Sequence, residues 1–396
     1  MIDAGELRDR LAGLEPIGLG DDGTTRLAWT AELAAAEAWF GEQAAAAGLQ
    51  VERDPAGSLW AVPSSGGPWW ATGSHLDSVR RGGRFDGALG VAAGFAVAER
   101  VPGVSVIAFA DEEGARFNTP TFGSRALVGR LSDDVLGRVD DDGVALSEAM
   151  RAFGVDPSRL GDSVGWLDRL RGFLELHIDQ TQELSALGAP AGSVRSLAAR
   201  MRLALRFVGR ADHAGTTRRS ERRDALAAAA RVIVAADELA GGDEDFLVTA
   251  ARLLVEPNAF TTVPSEVRLW IDARTPDGEL LSKWRSSVAA AASELDVEVD
   301  LNTASYSDAV EFDPGVRAAL GSLPELVCFA GHDAGILAPR IPAGMVFVRN
   351  ATGVSHSPDE HVELDDAAVA AQSLQSALAV LASRRMSPHA PHGSIR

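Results

Sequence analysis

The sequence predicts an α/β domain that is interrupted by an inserted α+β domain. The chain has 396 residues, more than one ordinary hydrophobic core accommodates, which favours two domains. Continuous apolar runs, typical of buried parallel strands, occur in the first half and return after about residue 308. The segment between them alternates polar and apolar residues, as half-exposed antiparallel strands do. We therefore predict one domain from residues 1–196 and 308–396, and an inserted domain from residues 197–307.

The first domain is predicted to alternate strands with helices. Two helices are predicted within residues 1–48, the second rich in Ala, Leu and Trp at helical spacing. Short apolar runs then predict strands at Trp69–His75, Val104–Asp111, Phe173–Asp179 and Met345–Asn350. Gly87–Arg100 is predicted to be a helix that Asp86 caps, and Glu363–Arg384 is predicted to be the closing helix.

The inserted domain is predicted to be a small antiparallel sheet with two helices on one face. Arg200–Arg210 and Glu266–Arg274 alternate polar and apolar residues with the period of two that a half-exposed strand shows. The Ala-rich segment Asp224–Ala240 and a second segment at about Asp277–Leu295 predict the helices.

Composition excludes several classes of partner. Lys and Arg number 37 against 56 Asp and Glu, so the formal net charge is −19. We expect neither nucleic acid nor membrane as a partner, because phosphates need clustered basic residues and no run approaches the roughly 18 apolar residues of a membrane span. The single cysteine, Cys328, excludes an intrachain disulfide and a thiolate metal cluster. The acidic N-terminus lacks the apolar run of a secretory signal, which favours a cytoplasmic location.

Histidines and acids lie at the ends of the predicted strands. They are His75 with Asp77, Asp86 before the following helix, Asp111–Glu113, His177 and His356. Because ligands bind beyond the carboxyl ends of the strands in open α/β sheets, we expect these positions to converge. Imidazoles and carboxylates without thiolates suit Zn, Mn, Co or Ni. Three histidines with two or more acids are enough for two ions that share one bridging carboxylate.

Each of these features also has a purely structural interpretation. A single histidine or an H-x-D pair is usually a hydrogen-bonded residue that binds no metal, and an acidic triplet is usually a solvated loop or a helix start. The triplet Asp111–Glu113, however, ends a buried strand, where unpaired charge is costly. The combination at successive strand ends therefore favours a metal site.

Longer motifs around these residues resemble one family. They are GSHLDSVRRGGRFDGALGV (Gly73–Val91), DEEGARF (Asp111–Phe117), ELHIDQ (Glu175–Gln180), HAGTT (His213–Thr217), AGHDA (Ala330–Ala334) and GVSHSPDE (Gly353–Glu360). In these motifs and their order the chain is similar to the hydantoinase/carbamoylase amidase family of the dinuclear zinc metallopeptidase clan, which includes allantoate amidohydrolases and N-carbamoyl-L-amino-acid hydrolases. The resemblance implies a mixed-sheet dinuclear metallohydrolase domain, an inserted lid and dimerisation domain, and a homodimer.

The resemblance also implies two divalent ions per subunit, either Zn, Mn, Co or Ni. The implied ligands are His75, Asp86, Glu113, His177 and His356, with Asp86 bridging the two ions. Glu112 matches the family's general base, and Asp77 matches the acid that orients His75. These roles agree with the chemistry, because water between two cations is acidified and a nearby carboxylate can carry its proton to the leaving nitrogen.

Several positions match residues that contact the substrate in this family. They are His213, Arg274, Gln180 and His332, together with Thr261 where the family usually has Asn. We expect His213 to stabilise the charge that develops on the carbonyl oxygen. We expect Arg274 to clamp a substrate carboxylate through two parallel hydrogen bonds. The alternative for Arg274 is an ion pair on the sheet face with Asp272 or Asp277.

The implied activity is metal-dependent hydrolysis of the carbamoyl or ureido C–N bond of a small carboxylate, either allantoate or an N-carbamoyl-L-amino acid. The alternatives are an aminoacylase or dipeptidase of the same clan and a non-catalytic ligand-binding homologue. The FDG, EEGARF and GHDA motifs favour the ureido branch, and the presence of Glu112 argues against a binding protein.

The chain departs from the usual family sequence at a few positions, which are Thr261, Asp179 with Thr181-Gln182, Arg218-Arg219 and Cys328-Phe329. None of these positions is an implied metal ligand, so we expect the departures to affect substrate recognition and not metal binding.

Overall fold

The computed structural model describes residues 1–383, and the chain divides into two compact units. The first unit comprises Met1–Arg195, Phe312–Leu326 and the described residues from Gly331 onward, and the second comprises Ser196–Glu311 and Val327–Ala330. The large sheet is mixed and the second sheet is separate and antiparallel, so the predicted fold class is confirmed. No helix in the described part of the chain is long and apolar enough to cross a membrane.

The first unit contains a mixed sheet whose central strands are parallel. In spatial order its strands are Ala191–Leu197, Ala343–Val348, Leu170–Ile178, Trp69–His75, Val104–Phe109, Leu59–Val62 and Gln50–Arg53. The four strands from Ala343–Val348 to Val104–Phe109 run parallel to one another, and the strands on either side of this group pair with it antiparallel. Every residue of Val104–Phe109 is buried, which explains why this segment is apolar at every position except Ser105 and does not alternate. The parallel strands end at one edge of the sheet, and that edge positions the candidate site.

Helices pack on this sheet. The α-helices of the first unit are Ala4–Ala12, Ala31–Ala46, Ala88–Ala98, Phe122–Leu127, Leu146–Ala152, Glu183–Ala186, Pro314–Ala319, Asp333–Leu337 and Leu364–Ser383. Short elements complete it: 3-10 helices Val135–Gly137 and Pro157–Arg169, and strands Leu19–Gly20 and Gly23–Thr24. A further short strand, Glu325–Cys328, begins in the first unit and ends in residues assigned to the second. The predicted closing helix is therefore present, and its predicted last residue, Arg384, lies outside the described residues.

The prediction that Asp86 caps the helix Ala88–Ala98 is wrong. Gly87 is the N-cap residue, and no side chain caps this helix. Gly87 has a φ of 66°, a left-handed conformation that favours glycine. A Cβ on Gly87 would lie 2.4 Å from Cε1 of His75, so a larger residue does not fit here. This turn leaves the Asp86 carboxylate free to face the imidazoles of His75 and His177.

The second unit is an antiparallel sheet with two helices packed against it. The strands lie in the order Leu247–Glu256, Glu266–Thr275, Ala199–Val208 and Glu298–Ser307. The helices are Ala225–Glu238 and Gly278–Ser293, and the short elements are Asp212–His213, Arg219–Glu221, Thr262–Val263 and Val310–Glu311. Burial alternates along Ala199–Val208, where Leu203, Leu205 and Phe207 enter the core of this unit. That alternation is the physical origin of the period-two sequence pattern.

Candidate metal centre

The predicted site residues of the first unit lie where the parallel strands end. His75 and His177 lie at the ends of two strands, the triplet Asp111–Glu113 follows a third, and His356 lies in the loop after the fourth. The side chains of His75 and His177 are buried, whereas 51% of the His356 side chain is exposed. The sheet edge thus places a mostly buried cluster within reach of solvent on the His356 side.

One cluster consists of His75, Asp86 and His177, whose ligand atoms lie within 4.8 Å of one another. Asp86 Oδ1 lies 3.4 Å from His75 Nε2 and 3.0 Å from His177 Nε2. The other imidazole nitrogen, Nδ1, lies 3.0 Å from the Asp77 carbonyl oxygen in His75 and 3.1 Å from the Ile178 carbonyl oxygen in His177. A carbonyl oxygen only accepts, so Nδ1 carries a proton in both rings, and the neutral form of each ring would present its Nε2 lone pair to a cation.

A second cluster consists of Asp86, Glu113 and His356. His356 Nε2 lies 3.3 Å from Glu113 Oε2 and 3.7 Å from Asp86 Oδ2. The two clusters therefore share Asp86 but use different oxygens of its carboxylate. A carboxylate that bridges two ions needs this arrangement, with one oxygen toward each ion.

Asp77 contacts residues of both clusters without belonging to either. Its carboxylate accepts the backbone N–H groups of Glu112 at 3.1 Å and Glu113 at 3.0 Å, and it lies 3.8 Å from His75 Nδ1. The Asp77 backbone carbonyl, rather than its carboxylate, makes the shorter contact with His75. Asp77 thus orients both the histidine and the loop that carries Glu112.

Glu112 is buried and belongs to neither of the two clusters. Its Oε2 lies 3.9 Å from His75 Nε2. Burial, opposed by His75 but reinforced by the charges of Asp333 and Glu113, raises the pKa of Glu112 well above its ordinary value. A carboxylate with a raised pKa next to a cation site has the properties of a general base.

The electrostatics of the centre fit bound cations. Burial and the charge of Asp86 raise the pKa of Glu113 to about 8. Burial opposes protonation of His177, but Asp86 outweighs it and raises the pKa of that imidazole to about 9. His75 Nε2 and Glu113 Oε1 are buried and have no hydrogen-bond partner among the described residues. Divalent ions would pair these atoms and neutralise the buried carboxylates, so the donor set fits the expected metal pair.

His332 lies beside the first cluster. Its ring centroid is 4.4 Å from that of His177, and neither of its ring nitrogens has a hydrogen-bond partner among the described residues. Burial and the neighbouring His177 lower the pKa of His332 well below its ordinary value, so the imidazole is neutral. Glu175, His177 and His332 form a further group with metal-ligand spacing, but both Glu175 oxygens already accept hydrogen bonds, from Ser74 and Ala334. His332 thus offers a free neutral imidazole, as the predicted substrate contact requires.

Two residues that contact Asp86, Ser355 and Glu360, are not predicted from the sequence. Ser355 Oγ donates to Asp86 Oδ2 at 3.2 Å, and Gln180 Nε2, a predicted substrate contact, donates to Ser355 Oγ at 3.3 Å. Glu360 is buried and accepts the backbone N–H groups of Phe85 and Asp86. The sequence feature that could have indicated them is the motif GVSHSPDE, which contains Ser355 and Glu360 as well as His356.

The second unit holds the other predicted contacts. His213 pairs with Thr262 in a two-residue ladder, and its Nδ1 accepts the backbone N–H of Gly215 at 3.0 Å. Thr261 precedes this ladder and its side chain is exposed. The backbone carbonyl of Thr261 accepts a hydrogen bond from the backbone N–H of Ala214 at 2.8 Å. His213 is exposed, so its ring is available to a ligand.

Arg274 has the Asp272 partner that the alternative interpretation named. Its Nε donates to Asp272 Oδ1 at 2.7 Å, and its Nη1 donates to the Phe329 carbonyl oxygen at 2.6 Å. A guanidinium has five N–H donors. Three of them, one on Nη1 and two on Nη2, are not used in these two bonds. The two bonds therefore fix the Arg274 head and leave these three N–H groups for a further acceptor.

Comparison with known proteins defines the class. The model of the peptidase family M20/M25/M40 matches residues 61–380. An N-carbamoyl-L-amino acid amidohydrolase of Geobacillus stearothermophilus is 37% identical over 76% of this chain and 79% of its own. An allantoate amidohydrolase of Bacillus subtilis is 30% identical over 78% of this chain and 80% of its own. The structure of a hydantoinase/carbamoylase family amidase from Burkholderia multivorans matches with a TM-score of 0.84 and 29% identity over 97% of this chain and 99% of that one.

The chain belongs to the peptidase family M20/M25/M40, a metal-dependent family. The relatives named above are hydrolases of C–N bonds other than peptide bonds. The resemblance to the hydantoinase/carbamoylase branch and the prediction of a hydrolase of this class are confirmed.

Proposed function

We propose that the chain hydrolyses the carbamoyl or ureido C–N bond of a small carboxylate, with allantoate and N-carbamoyl-L-amino acids as the substrate candidates. The observation that carries the proposal is the pair of ligand clusters that share Asp86, with Glu112 beside them. The similarity to an N-carbamoyl-L-amino acid amidohydrolase and an allantoate amidohydrolase supports it.

The two clusters would hold one divalent ion each. His75, His177 and Asp86 Oδ1 would bind one ion, and Glu113, His356 and Asp86 Oδ2 would bind the other. Bound divalent ions supply Lewis acidity, which polarises a carbonyl group and lowers the pKa of water. Zn, Mn, Co and Ni all suit this set of imidazole and carboxylate ligands.

Glu112 moves the protons of the reaction. Its carboxylate takes a proton from the attacking water and returns it to the nitrogen that leaves the carbamoyl carbon. Water first adds to that carbon and forms a C–O bond. The C–N bond then breaks as the leaving nitrogen takes up the proton, and the carbamate so formed decomposes to ammonia and carbon dioxide. Asp77 keeps Glu112 in place through its backbone, and the neutral His332 offers a hydrogen bond without adding a charge.

The substrate carboxylate would be recognised by Arg274, and the carbonyl oxygen by His213. A planar guanidinium matches a carboxylate with two parallel hydrogen bonds. Asp272 and Phe329 hold the Arg274 head in a fixed orientation, so little side-chain entropy is lost when the substrate binds. Thr261 contributes a hydroxyl where the family usually has an amide, which we expect to alter the choice among ureido substrates.

An ammonia-release assay tests this function. Ammonia release would be followed for allantoate, ureidoglycolate, N-carbamoyl-L-amino acids and N-carbamoyl-β-alanine, and release of a free amino group would be followed for an N-acetyl amino acid and a dipeptide, after chelation and restoration with Mn²⁺. We expect turnover of at least one ureido substrate, and only with Mn²⁺ present. Turnover confined to the acetyl amino acid or dipeptide would establish the aminoacylase or dipeptidase alternative. Turnover of none by the Mn²⁺-loaded protein would overturn the proposed activity, and binding of one of these compounds without turnover would support the binding-protein alternative.

The proposal extends to a homodimer formed through the second unit. Leu247–Glu256 is an edge strand, with its free side facing away from Glu266–Thr275. Leu253 and Leu254 on this strand are 41% and 44% exposed. An exposed apolar edge pairs readily with another strand, and a second copy of the same edge closes it with two-fold symmetry.

Light scattering at micromolar concentration tests the dimer. We expect a dimer for the wild type and a monomer for Leu254→Asp, because a charge on the edge opposes strand pairing. Leu187→Asp, a change of an exposed leucine in the first unit, is the matched control and should stay dimeric. A wild-type protein that is monomeric and fully active would refute the dimer.

A further inference from the structure

Glu360 connects the loop that carries His356 to the turn that carries Asp86. Its Oε1 accepts two consecutive backbone N–H groups, from Phe85 and from Asp86, both at 3.1 Å. These contacts join parts of the chain that are 275 and 274 residues apart. The side chain is buried, with 4% of the residue exposed. A buried carboxylate is costly unless its oxygens are hydrogen-bonded, so its place here is specific.

Ser355 completes the link. Its hydroxyl donates to Asp86 Oδ2 at 3.2 Å and lies 3.5 Å from Glu360 Oε2. Glu360 therefore holds the Asp86 backbone, while Ser355 holds one oxygen of the Asp86 side chain. Both residues belong to the loop that presents His356, so the same segment supplies a candidate ligand and orients the shared one.

Gly83 makes room for this contact. A Cβ at position 83 would lie 2.2 Å from Glu360 Oε1 and 2.6 Å from Glu360 Cβ, distances that atoms do not adopt. Because Glu360 Cβ, as well as the end of its side chain, is involved, a rotamer change alone cannot relieve the clash. Gly83 is needed so that the Glu360 carboxylate can reach the Phe85 and Asp86 amides.

We propose that Glu360, with Ser355, is a positioning residue that sets the bridging orientation of Asp86 and keeps the two ligand clusters in register. The proposal rests on the metal centre proposed above. Asp86 must direct Oδ1 toward His75 and His177 while Oδ2 faces His356. One carboxylate can face both clusters only if its backbone and the rotation of its side chain are fixed. Glu360 holds the backbone, and Ser355 holds the side chain through Oδ2. Partners of this kind typically alter metal affinity by about 10–100-fold when they are removed.

Mn²⁺ affinity, measured by calorimetry on chelated protein, tests the proposal independently of activity. We expect Glu360→Ala to bind Mn²⁺ about 10–100-fold more weakly than the wild type. Glu360→Gln should recover most of the affinity, because its amide oxygen can still accept the Phe85 and Asp86 N–H groups. Gly83→Ala should weaken Mn²⁺ binding although it leaves the carboxylate in the chain. Ser355→Ala should have a smaller effect in the same direction.

Asp224→Ala is the matched control. The Asp224 carboxylate also accepts two consecutive backbone N–H groups, from Leu226 and Ala227, both at 3.0 Å, but it lies in the second unit. Its loss should lower thermal stability and leave Mn²⁺ affinity unchanged.

The outcomes separate the two proposals. Wild-type protein that binds no Mn²⁺ overturns the metal centre itself. Wild-type protein that binds Mn²⁺, with Gly83→Ala and Ser355→Ala both at wild-type affinity, overturns the role of Glu360 and Ser355 alone, even if Glu360→Ala fails to fold. Equal loss of affinity in Asp224→Ala and Glu360→Ala would likewise show a general effect of stability.

Discussion

Glu112→Gln should keep its metal ions and lose about 10²–10⁴-fold in kcat/KM on the ureido substrate. Glutamine has the shape of glutamate and preserves the contacts around His75, but an amide cannot accept the proton of the attacking water. Glu112 belongs to neither ligand cluster, so its replacement removes no metal ligand. The measurement is kcat/KM together with metal content on the same preparation.

Glu113→Gln is the matched control for that experiment. Glu113 is the adjacent residue and belongs to the cluster with Asp86 and His356. Its loss should lower metal content, and activity should return in part at high Mn²⁺ concentration. If Glu112→Gln turned over at the wild-type rate, another group would be the general base and Glu112 would have a structural role.

Arg274→Ala should lower kcat/KM on a carboxylate substrate by an amount equivalent to about 2–5 kcal/mol, the usual cost of truncating one partner of a close charge pair. The expected loss is large because Asp272 and Phe329 already orient the guanidinium, so the N–H groups proposed to bind the substrate carboxylate are preorganised. The measurement is kcat/KM for the best substrate in wild type and variant.

Arg202→Ala distinguishes this role from the ion-pair alternative. Arg202 Nε donates to the other Asp272 oxygen, Oδ2, at 2.8 Å, so both arginines share one carboxylate. An ion pair on the sheet face affects stability modestly and in a similar way whichever arginine is removed. We expect Arg202→Ala to keep wild-type kcat/KM. Equal effects of the two variants on kcat/KM, or no effect of Arg274→Ala, would establish the ion-pair interpretation and redefine the substrate class.

The fold and the convergence of the site could be predicted because both follow from local patterns. The parallel strand Val104–Phe109 is buried on both faces and is therefore apolar at every position except Ser105. Ala199–Val208 has one face in a core and therefore has to alternate. Once the parallel strands were predicted, their carboxyl ends had to meet, and that brings His75, His177 and the acidic triplet together.

The sequence prediction is wrong or incomplete where contacts between residues far apart in the chain determine the local structure. Asp86 has the sequence position of an N-cap, but its carboxylate interacts with imidazoles on two strands, and Gly87 takes the cap position. Glu360 bonds to amides 274 and 275 residues away, and no periodicity in the sequence specifies such a pair. The Arg274–Asp272 contact, in contrast, joins residues two apart on one strand, which share a face, so it was among the alternatives.

We propose that the two ligand clusters joined by Asp86 hold a pair of divalent ions. Elemental analysis of chelated protein, reloaded with Mn²⁺ and freed of excess metal, tests this metal pair most directly. We expect two ions per chain in the wild type and a clear loss in Asp86→Ala, because this change removes a ligand from both clusters at once. Well under one ion per chain in the reloaded wild-type protein would contradict it.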